Sequence, residues 1–150
     1  DGVTTDPEKG IIPVMPQPPD TTLFEEVFQK TNQKFIMLSH VVYENVDPAF
    51  PLPFSQEGNR LVRDALSEDI LIMSDDLTSK SIVGNYNPAE IGARALHGGV
   101  NILLIAGYPD PDIIQDVYSG LLRIVERDAD LQEQVEQSAL QILRAKEDLP

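Results

Sequence analysis

Three runs of apolar residues are spaced along the chain, at residues 34–43, 70–73 and 100–105. The central run holds only four apolar residues, which is too few for a helix. Continuous apolar runs of this kind are typical of strands that are covered on both faces, as in a parallel sheet. The pattern therefore predicts three buried parallel strands.

Helical signals fill the intervals between these runs. Ser55 and the Asn87-Pro88 pair are typical helix starts, and Gly98-Gly99 is a typical helix end. Residues 1–20 are rich in proline and glycine and are predicted to form a loop. Helices are predicted at residues 21–32, 55–66, 87–97, 112–127 and 130–147. Their alternation with the strands predicts an α/β fold built from right-handed βαβ units.

Two architectures are compatible with this order of elements. Three strands covered by helices form only a thin core, whereas a complete eight-stranded barrel typically needs about 250 residues. The 150 residues of this chain therefore predict either a small open α/β domain or the C-terminal part of a (β/α)8 TIM barrel whose earlier strands lie elsewhere.

The central strand is followed directly by Ser74, Asp75 and Asp76. Functional sites of parallel α/β proteins lie at the carboxyl ends of the strands, so two carboxylates at this position are candidate site residues. Serine and aspartate are also common caps of a following helix. On the local spacing alone, a site and a cap are equally well supported.

Composition limits the partners and the chemistry. Acidic residues outnumber basic ones by 25 to 11, which gives a net charge of −14 and argues against nucleic acid or an anionic membrane as partners. The sequence contains no cysteine, no apolar run long enough to span a bilayer, and no glycine-rich phosphate loop. Its two histidines do not have zinc-ligand spacing. We therefore predict no metal and no nucleotide cofactor.

Several segments resemble glycoside hydrolase family 3, and most of all its bacterial β-N-acetylglucosaminidase branch. The resemblance covers residues 6–149 and rests on Phe35-Ile36-Met37-Leu38-Ser39-His40-Val41, on Asp47, Pro53 and Ser55, on Leu61-Val62-Arg63-Asp64-Ala65-Leu66, on Ile72-Met73-Ser74-Asp75-Asp76-Leu77, and on Arg94-Ala95-Leu96-His97-Gly98-Gly99-Val100-Asn101-Ile102-Leu103-Leu104. In the last segment Asn101 stands where the family usually has aspartate.

The resemblance implies a retaining glycosidase on a (β/α)8 barrel, with strands six to eight in this chain. Asp75 matches the nucleophile that forms a covalent glycosyl-enzyme. His40 is implied to line the sugar site together with Asp76, which would also support the loop through hydrogen bonds. The implied substrate is terminal β-linked N-acetylglucosamine or a related β-glycoside, as in fragments released during peptidoglycan turnover.

The acid/base position departs from the family pattern. Residues 6–13 fit the frame of the family's acid/base loop, including Gly10, but Glu8 stands where histidine is expected. A glutamate can act as the general acid if a neighbouring anion such as Asp6 raises its pKa. The alternative is that Glu8 is a solvated loop residue and that the acid/base function is lost. We accordingly divide the chain into an acid/base loop region, 1–19, and the βα units with their closing helices, 20–150.

The family's upstream sugar-binding residues have no counterpart in this sequence. We therefore expect either a companion chain that carries the first five strands or a missing N-terminal half of the barrel. The first residue, Asp1, favours a cleavage product or a fragment. A non-catalytic derivative that binds carbohydrate or protein is the alternative function. The sequence leaves the compartment open between cytoplasmic and extracytoplasmic bacterial locations.

Overall fold

The computed structural model describes residues 10–107 and 110–147. Within these ranges the chain forms helices and short strands in an α/β arrangement. In chain order the elements are β1 (Val14–Met15), α1 (Thr22–Lys30), β2 (Phe35–Leu38), β3 (Val42–Tyr43), a 3-10 turn (Leu52–Phe54), α2 (Gln56–Leu66), β4 (Leu71–Ser74), α3 (Lys80–Val83), α4 (Pro88–Gly98), α5 (Asp112–Val125) and α6 (Ala129–Glu147).

All strand pairs in the described residues are parallel, as the sequence predicts. β2 pairs with β4, with Phe35 opposite Leu71 and Leu38 opposite Ser74. β1 pairs with β3 in a second, two-stranded sheet. The chain is therefore α/β with parallel strands.

The prediction of one continuous strand over residues 34–43 is wrong. The chain leaves the ladder after Leu38 and turns, with the Val41 amide donating to the Ser39 carbonyl at 2.9 Å. It then forms β3, which pairs with β1 inside the segment predicted to be a loop. Pro13 cannot donate a hydrogen bond, but its carbonyl accepts from the Val42 amide at 2.9 Å, so proline beside β1 does not prevent the pairing.

The third predicted strand, 100–105, is also only partly correct. It runs beside β4 with a single isolated bridge, between Met73 and Ile102. The amides of Asn101 and Ile102 both donate to the Ile72 carbonyl, and the Leu104 amide donates to the Ser74 hydroxyl instead of to a backbone carbonyl. Because a side chain replaces a backbone partner, the ladder does not continue as a regular strand.

The five predicted helices are confirmed, with ends close to those expected. The Ser55 hydroxyl accepts from the Gly58 amide at 3.0 Å, and the Asn87 side chain accepts from the Ala89 amide at 3.1 Å. Gly99 ends α4 with φ of +108°, in the left-handed region that favours glycine. The short helix α3 and the 3-10 turn were not predicted.

The core surrounds β4 and includes residues of elements before and after it in the chain. Ile72, Leu77, Ile82, Ile91 and Val100 have no exposed surface and belong to one cluster. Burying large aliphatic side chains in this way contributes about 1.5–3 kcal/mol each. This cluster fixes the direction in which β4 ends, and therefore the position of Asp75 and Asp76.

The sequence predicts that β2 is buried on both faces, but one of its faces is exposed. Leu38 is buried, but Phe35 and Met37 are 54% and 52% exposed. Side chains two apart on a strand lie on the same face, so Phe35 and Met37 share a face, and that face points away from the core. Among the described residues, no helix is long and apolar enough to cross a membrane.

Candidate active site

The carboxyl end of β4 is held in place by backbone hydrogen bonds on both sides. The Ser74 amide donates to the Ile102 carbonyl, and the Asp75 amide donates to the Leu38 carbonyl, each at 3.0 Å. The bond to Leu38 extends the parallel pairing of β2 and β4 by one residue. Asp75 is therefore attached to the sheet by its backbone, while its side chain is free to face away from it.

The Asp75 carboxylate has one tethered and one open oxygen. Its Oδ1 accepts from the Asp76 amide at 2.7 Å, and within the described part of the chain Oδ2 accepts no hydrogen bond. The side chain lines a cavity of about 150 Å³. The other residues that line this cavity are Ile11, Pro13, Ser39, His40, Val41, Ser79 and Ser81. The geometry thus presents the carboxylate of a partly exposed residue to a small cavity at the carboxyl edge of the sheet.

In contrast to Asp75, Asp76 accepts several hydrogen bonds through one oxygen of its carboxylate. Its Oδ1 accepts from the Thr78 amide at 2.9 Å, from the Thr78 hydroxyl at 2.6 Å and from the Ala106 amide at 3.0 Å. The Thr78 hydroxyl in turn accepts from the Gly107 amide at 2.9 Å. Asp76 therefore joins the loop after β4 to the loop that ends near Gly107.

The hydrogen bonds of Asp76 also set its protonation. Burial alone would raise the pKa of this carboxyl, but the donors on Ala106 and Thr78, together with the nearby His40, outweigh burial and lower it. Asp76 is accordingly held as a carboxylate whose Oδ1 already accepts three hydrogen bonds.

His40 lies against the same carboxylates. The ring is 7% exposed, its Nδ1 lies 3.3 Å from the Ser79 hydroxyl, and its buried Nε2 has no hydrogen-bond partner among the described residues. Burial lowers the pKa of His40, although the charges of Asp75 and Asp76 and the Asp75 backbone act in the other direction. The ring is therefore a neutral wall of the cavity at neutral pH.

The structure thus brings together three of the five predicted site residues: Asp75, Asp76 and His40. The other two, Asp6 and Glu8, lie outside the described residues. The segment that follows them does reach the site, since Ile11 and Pro13 line the Asp75 cavity.

Two further polar residues that the sequence singled out have structural roles. The Asp47 carboxylate accepts from the Ala49 amide at 3.0 Å and so stabilises the turn beside Pro48. The Nε2 of His97 lies 3.8 Å from the Asp128 carboxylate, so His97 makes a contact on the helical side of the molecule.

Ser79 and Ser81 are the site residues that sequence reasoning missed. Their hydroxyls lie 3.1 Å apart, and both side chains line the cavity beside His40. Two serines within a few residues of a predicted strand end were the available signal, but only the fold shows that the chain turns back toward His40. Among the described residues, no cluster of three or more His, Cys, Asp or Glu side chains could hold a metal ion.

Comparisons with known proteins indicate the same family that the sequence motifs resemble. The sequence model described as "Glycosyl hydrolase family 3 N terminal domain" matches residues 17–145. A β-hexosaminidase of Nitrosospira multiformis is 34% identical over 76 residues, which is 50% of this chain and 22% of that protein.

Solved structures show the same relationship. A β-N-acetylhexosaminidase from Beutenbergia cavernae superposes with a TM-score of 0.74 at 28% identity, covering 83% of this chain and 36% of that one. A glycoside hydrolase family 3 β-N-acetylglucosaminidase from a Paenibacillus species superposes with a TM-score of 0.71 at 21% identity, covering 90% and 27% of the two chains; at this identity the likeness concerns the fold. The chain spans well under half the length of each of these relatives.

Proposed function

The chain belongs to glycosyl hydrolase family 3, and on that premise we propose that it supplies the nucleophile of a retaining β-N-acetylhexosaminidase. The observation that carries the proposal is the open oxygen of Asp75, which faces a cavity at the carboxyl end of a parallel strand. Carboxylate nucleophiles of glycosidases need one oxygen free to attack and a fixed orientation. The Asp76 amide gives Asp75 that orientation.

The proposed reaction has two steps. Asp75 Oδ2 attacks the anomeric carbon, the bond from that carbon to the leaving oxygen breaks, and a general acid gives its proton to the leaving oxygen. Water then attacks the same carbon, its proton passes to the conjugate base of that acid, and the Asp75 carboxylate is released. The substrate we propose is a terminal β-linked N-acetylglucosamine, with peptidoglycan-derived fragments as a natural source.

For the general acid we propose Glu8, with Asp6 as the neighbouring anion. The support comes from the fit of residues 6–13 to the family's loop and from Ile11 and Pro13 in the wall of the Asp75 cavity. A carboxylic acid in this role must hold its proton near neutral pH, and an adjacent negative charge favours this state.

We further propose that this chain forms strands six to eight of a (β/α)8 barrel and that the first five strands complete it. Two observations support this. Phe35 and Met37 leave one face of β2 exposed, and the chain matches about a third of the length of the Beutenbergia enzyme. A companion chain or a preceding part of the same protein would cover that face and supply the rest of the sugar site.

The nucleophile is tested by Asp75→Asn in the native protein that contains this chain. The variant is expected to lose at least about a thousandfold in kcat on an aryl β-N-acetylglucosaminide, because removing a covalent nucleophile removes the reaction path itself. Asp69→Asn is the matched control, since Asp69 is an exposed carboxylate just before β4. Equal activity in Asp75→Asn and Asp69→Asn would overturn the assignment.

The acid is tested by Glu8→Gln on two substrates that differ in leaving group. We expect the variant to lose activity strongly on a sugar leaving group and much less on a nitrophenol, which needs little protonation. Equal losses on both would show that Glu8 is not the acid. Retained sugar binding with no turnover in the wild-type protein would instead favour the non-catalytic, carbohydrate-binding derivative.

A further inference from the structure

We propose that Ser79 is a positioning residue, whose hydroxyl fixes the tautomer and orientation of His40 and thereby the environment of the Asp75 carboxylate. The inference rests on the proposed function, because it gives Ser79 a role in a reaction that Asp75 carries out. It concerns a residue that acts on the nucleophile through another residue, His40.

The first observation is that Ser79 does not cap its own helix. Ser79 is the N-terminal flanking residue of α3, and the amides of Ile82 and Val83 donate to its backbone carbonyl. A serine at this position ordinarily accepts a hydrogen bond from the first turn through its side chain, as Ser55 does at the start of α2. The Ser79 side chain makes no such bond.

The Ser79 hydroxyl is directed to the active site instead. It lies 3.3 Å from His40 Nδ1 and 3.1 Å from the Ser81 hydroxyl. Ser81 is 3% exposed and His40 is 7% exposed. The three groups therefore form a mostly buried chain of hydrogen bonds that ends at one nitrogen of the ring.

The surroundings of the His40 ring indicate which group donates in each of these two hydrogen bonds. If Ser81 donates to Ser79 and Ser79 donates to Nδ1, the proton of neutral His40 is on Nε2. The opposite direction would leave Nε2 as a buried lone pair on a ring that lies within the field of two carboxylates, and nearby negative charge favours an N–H over a lone pair. We therefore assign the Nε2–H tautomer.

This arrangement matters for the nucleophile. A hydroxyl that donates to Nδ1 stabilises the neutral ring, because the lone pair it occupies is the one that a second proton would need. Without Ser79, a proton on Nδ1 would place an imidazolium beside Asp75. A cation there would stabilise the free carboxylate and weaken its attack on the sugar. Ser79 thus acts together with burial to keep the wall of the cavity neutral and the nucleophile reactive.

The test compares Ser79→Ala with Ser79→Thr in the native protein, labelled with ¹³C and ¹⁵N at histidine. Nitrogen chemical shifts report the tautomer directly, and the His40 signals are assigned by their loss in His40→Gln. We expect the Nε2–H form in the wild type and in Ser79→Thr, and a mixture with the Nδ1–H or doubly protonated form in Ser79→Ala. Ser67→Ala, an exposed serine between α2 and β4, is the control.

Kinetics provide the second readout. Losing the hydrogen bond between Ser79 and His40 should lower kcat of Ser79→Ala about two- to tenfold with little change in KM. Ser79→Thr, which keeps the hydroxyl, should restore most of the lost kcat. The inference is overturned by an Nδ1–H tautomer in the wild type. It is also overturned if Ser79→Ala changes the tautomer without changing kcat, or changes kcat without changing the tautomer.

Failure of the proposed function gives a different result. A wild-type protein that turns over no β-N-acetylglucosaminide contradicts the assignment of Asp75, and with it the positioning role of Ser79. The tautomer measurement needs no turnover, so in that case it still decides whether Ser79 sets the state of His40.

Discussion

Asp75 and Asp76 are adjacent in the sequence, yet their carboxylates have different surroundings. The oxygen of Asp76 accepts from two amides and a hydroxyl, whereas Asp75 keeps one oxygen without a hydrogen-bond partner in the described residues. The difference arises because the chain turns after β4, so that Asp76 faces the neighbouring loop and Asp75 faces the cavity. Separate environments for neighbouring carboxyl groups commonly divide the tasks of an active site.

The first prediction concerns the supporting role of Asp76. Asp76→Ala removes the acceptor for Thr78 and Ala106 and is expected to lower the free energy of unfolding by about 1.5–3 kcal/mol, as for hydrogen bonds to a charged group. Urea denaturation of the two proteins measures the difference. Asp116→Ala, at an exposed aspartate within α5, should cost much less.

The same residue gives a prediction for acid pH. The pKa of Asp76 is lowered in the folded state, so the folded protein binds fewer protons there than the unfolded chain. This contribution to stability is complete above the unfolded pKa of about 3.9 and is lost as the pH falls through the folded pKa. The stability difference between the wild type and Asp76→Asn should therefore shrink in this acid range. A difference that is constant with pH would contradict the assignment.

His40 should change the free energy of unfolding in a higher pH range than Asp76 does. Burial lowers its pKa, so the unfolded chain takes up a proton below about pH 6.5 while the folded protein does not yet do so. The free energy of unfolding should then decrease as the pH falls below that value, until the folded ring is protonated as well. His40→Gln is expected to remove this slope, and His97→Gln, at a half-exposed ring on α4, serves as the comparison.

At the residue scale, sequence reasoning placed Asp75 and Asp76 at one edge of the sheet because they follow an apolar run, and the family resemblance placed His40 with them. That rule depends only on parallel strands ending on the same side. It could not find Ser79, because nothing local indicates that its hydroxyl leaves the helix start for a ring 39 positions earlier. The role of Glu8 stays a prediction.

At the scale of elements, Asn101 joins three parts of the fold. Its Oδ1 accepts from the Ile72 amide and from the Arg63 guanidinium, each at 2.9 Å. Its Nδ2 donates to Ser138 at 3.1 Å and to Gln141 at 2.8 Å. One amide side chain thus connects β4, α2 and α6.

This network predicts which substitutions the position tolerates. Asn101→Asp keeps the acceptor for Ile72 and Arg63, while the Ser138 hydroxyl and the Gln141 amide can turn to donate; we expect a change within about 1 kcal/mol. Asn101→Leu leaves the Ile72 amide unpaired and should cost at least about 2 kcal/mol. Thermal or urea unfolding distinguishes these outcomes, and equal stability of the two variants would contradict the account.

Helices α4 and α5 pack closely against each other. They approach so closely at Gly120 that a Cβ there would lie 2.1 Å from the Ala89 carbonyl oxygen. Gly120→Ala should destabilise the protein by about 1–3 kcal/mol through overpacking, although alanine is the better helix former. Asp116→Ala, on the exposed side of α5, should instead be neutral or slightly stabilising.

The sequence was most informative for elements whose signals are local. Helices α2 and α4 were found because Ser55 and Asn87 cap them within a few residues. The break after Leu38 and the pairing of β1 with β3 depend on partners 28 residues apart in sequence, Val14 and Val42, so no local pattern announces them. The segment 100–105 lost its regular ladder because the Ser74 hydroxyl takes the place of a backbone partner.

At the scale of the whole molecule, the exposed face of β2 is the main departure from a closed core. The proposed barrel would cover Phe35 and Met37 with side chains from other strands. We therefore expect the isolated 150-residue chain to associate with increasing concentration, because an exposed apolar strand face is a site of association.

The association can be assigned to this face. Replacing both Phe35 and Met37 by threonine should reduce concentration-dependent light scattering, whereas Leu143→Thr on α6, at a side chain that is 57% exposed, should change it less. A chain that stays monomeric over the whole concentration range would contradict the expectation that β2 needs a covering partner.

The central claim is that Asp75 forms a covalent bond with a sugar. The most direct measurement is the intact mass of the native protein after reaction with an activated fluoro-sugar that traps glycosyl-enzymes, followed by mapping of the modified peptide. We predict one added sugar on the peptide that contains Asp75, and none in Asp75→Asn. An unmodified protein, or a sugar on any other residue, would contradict it.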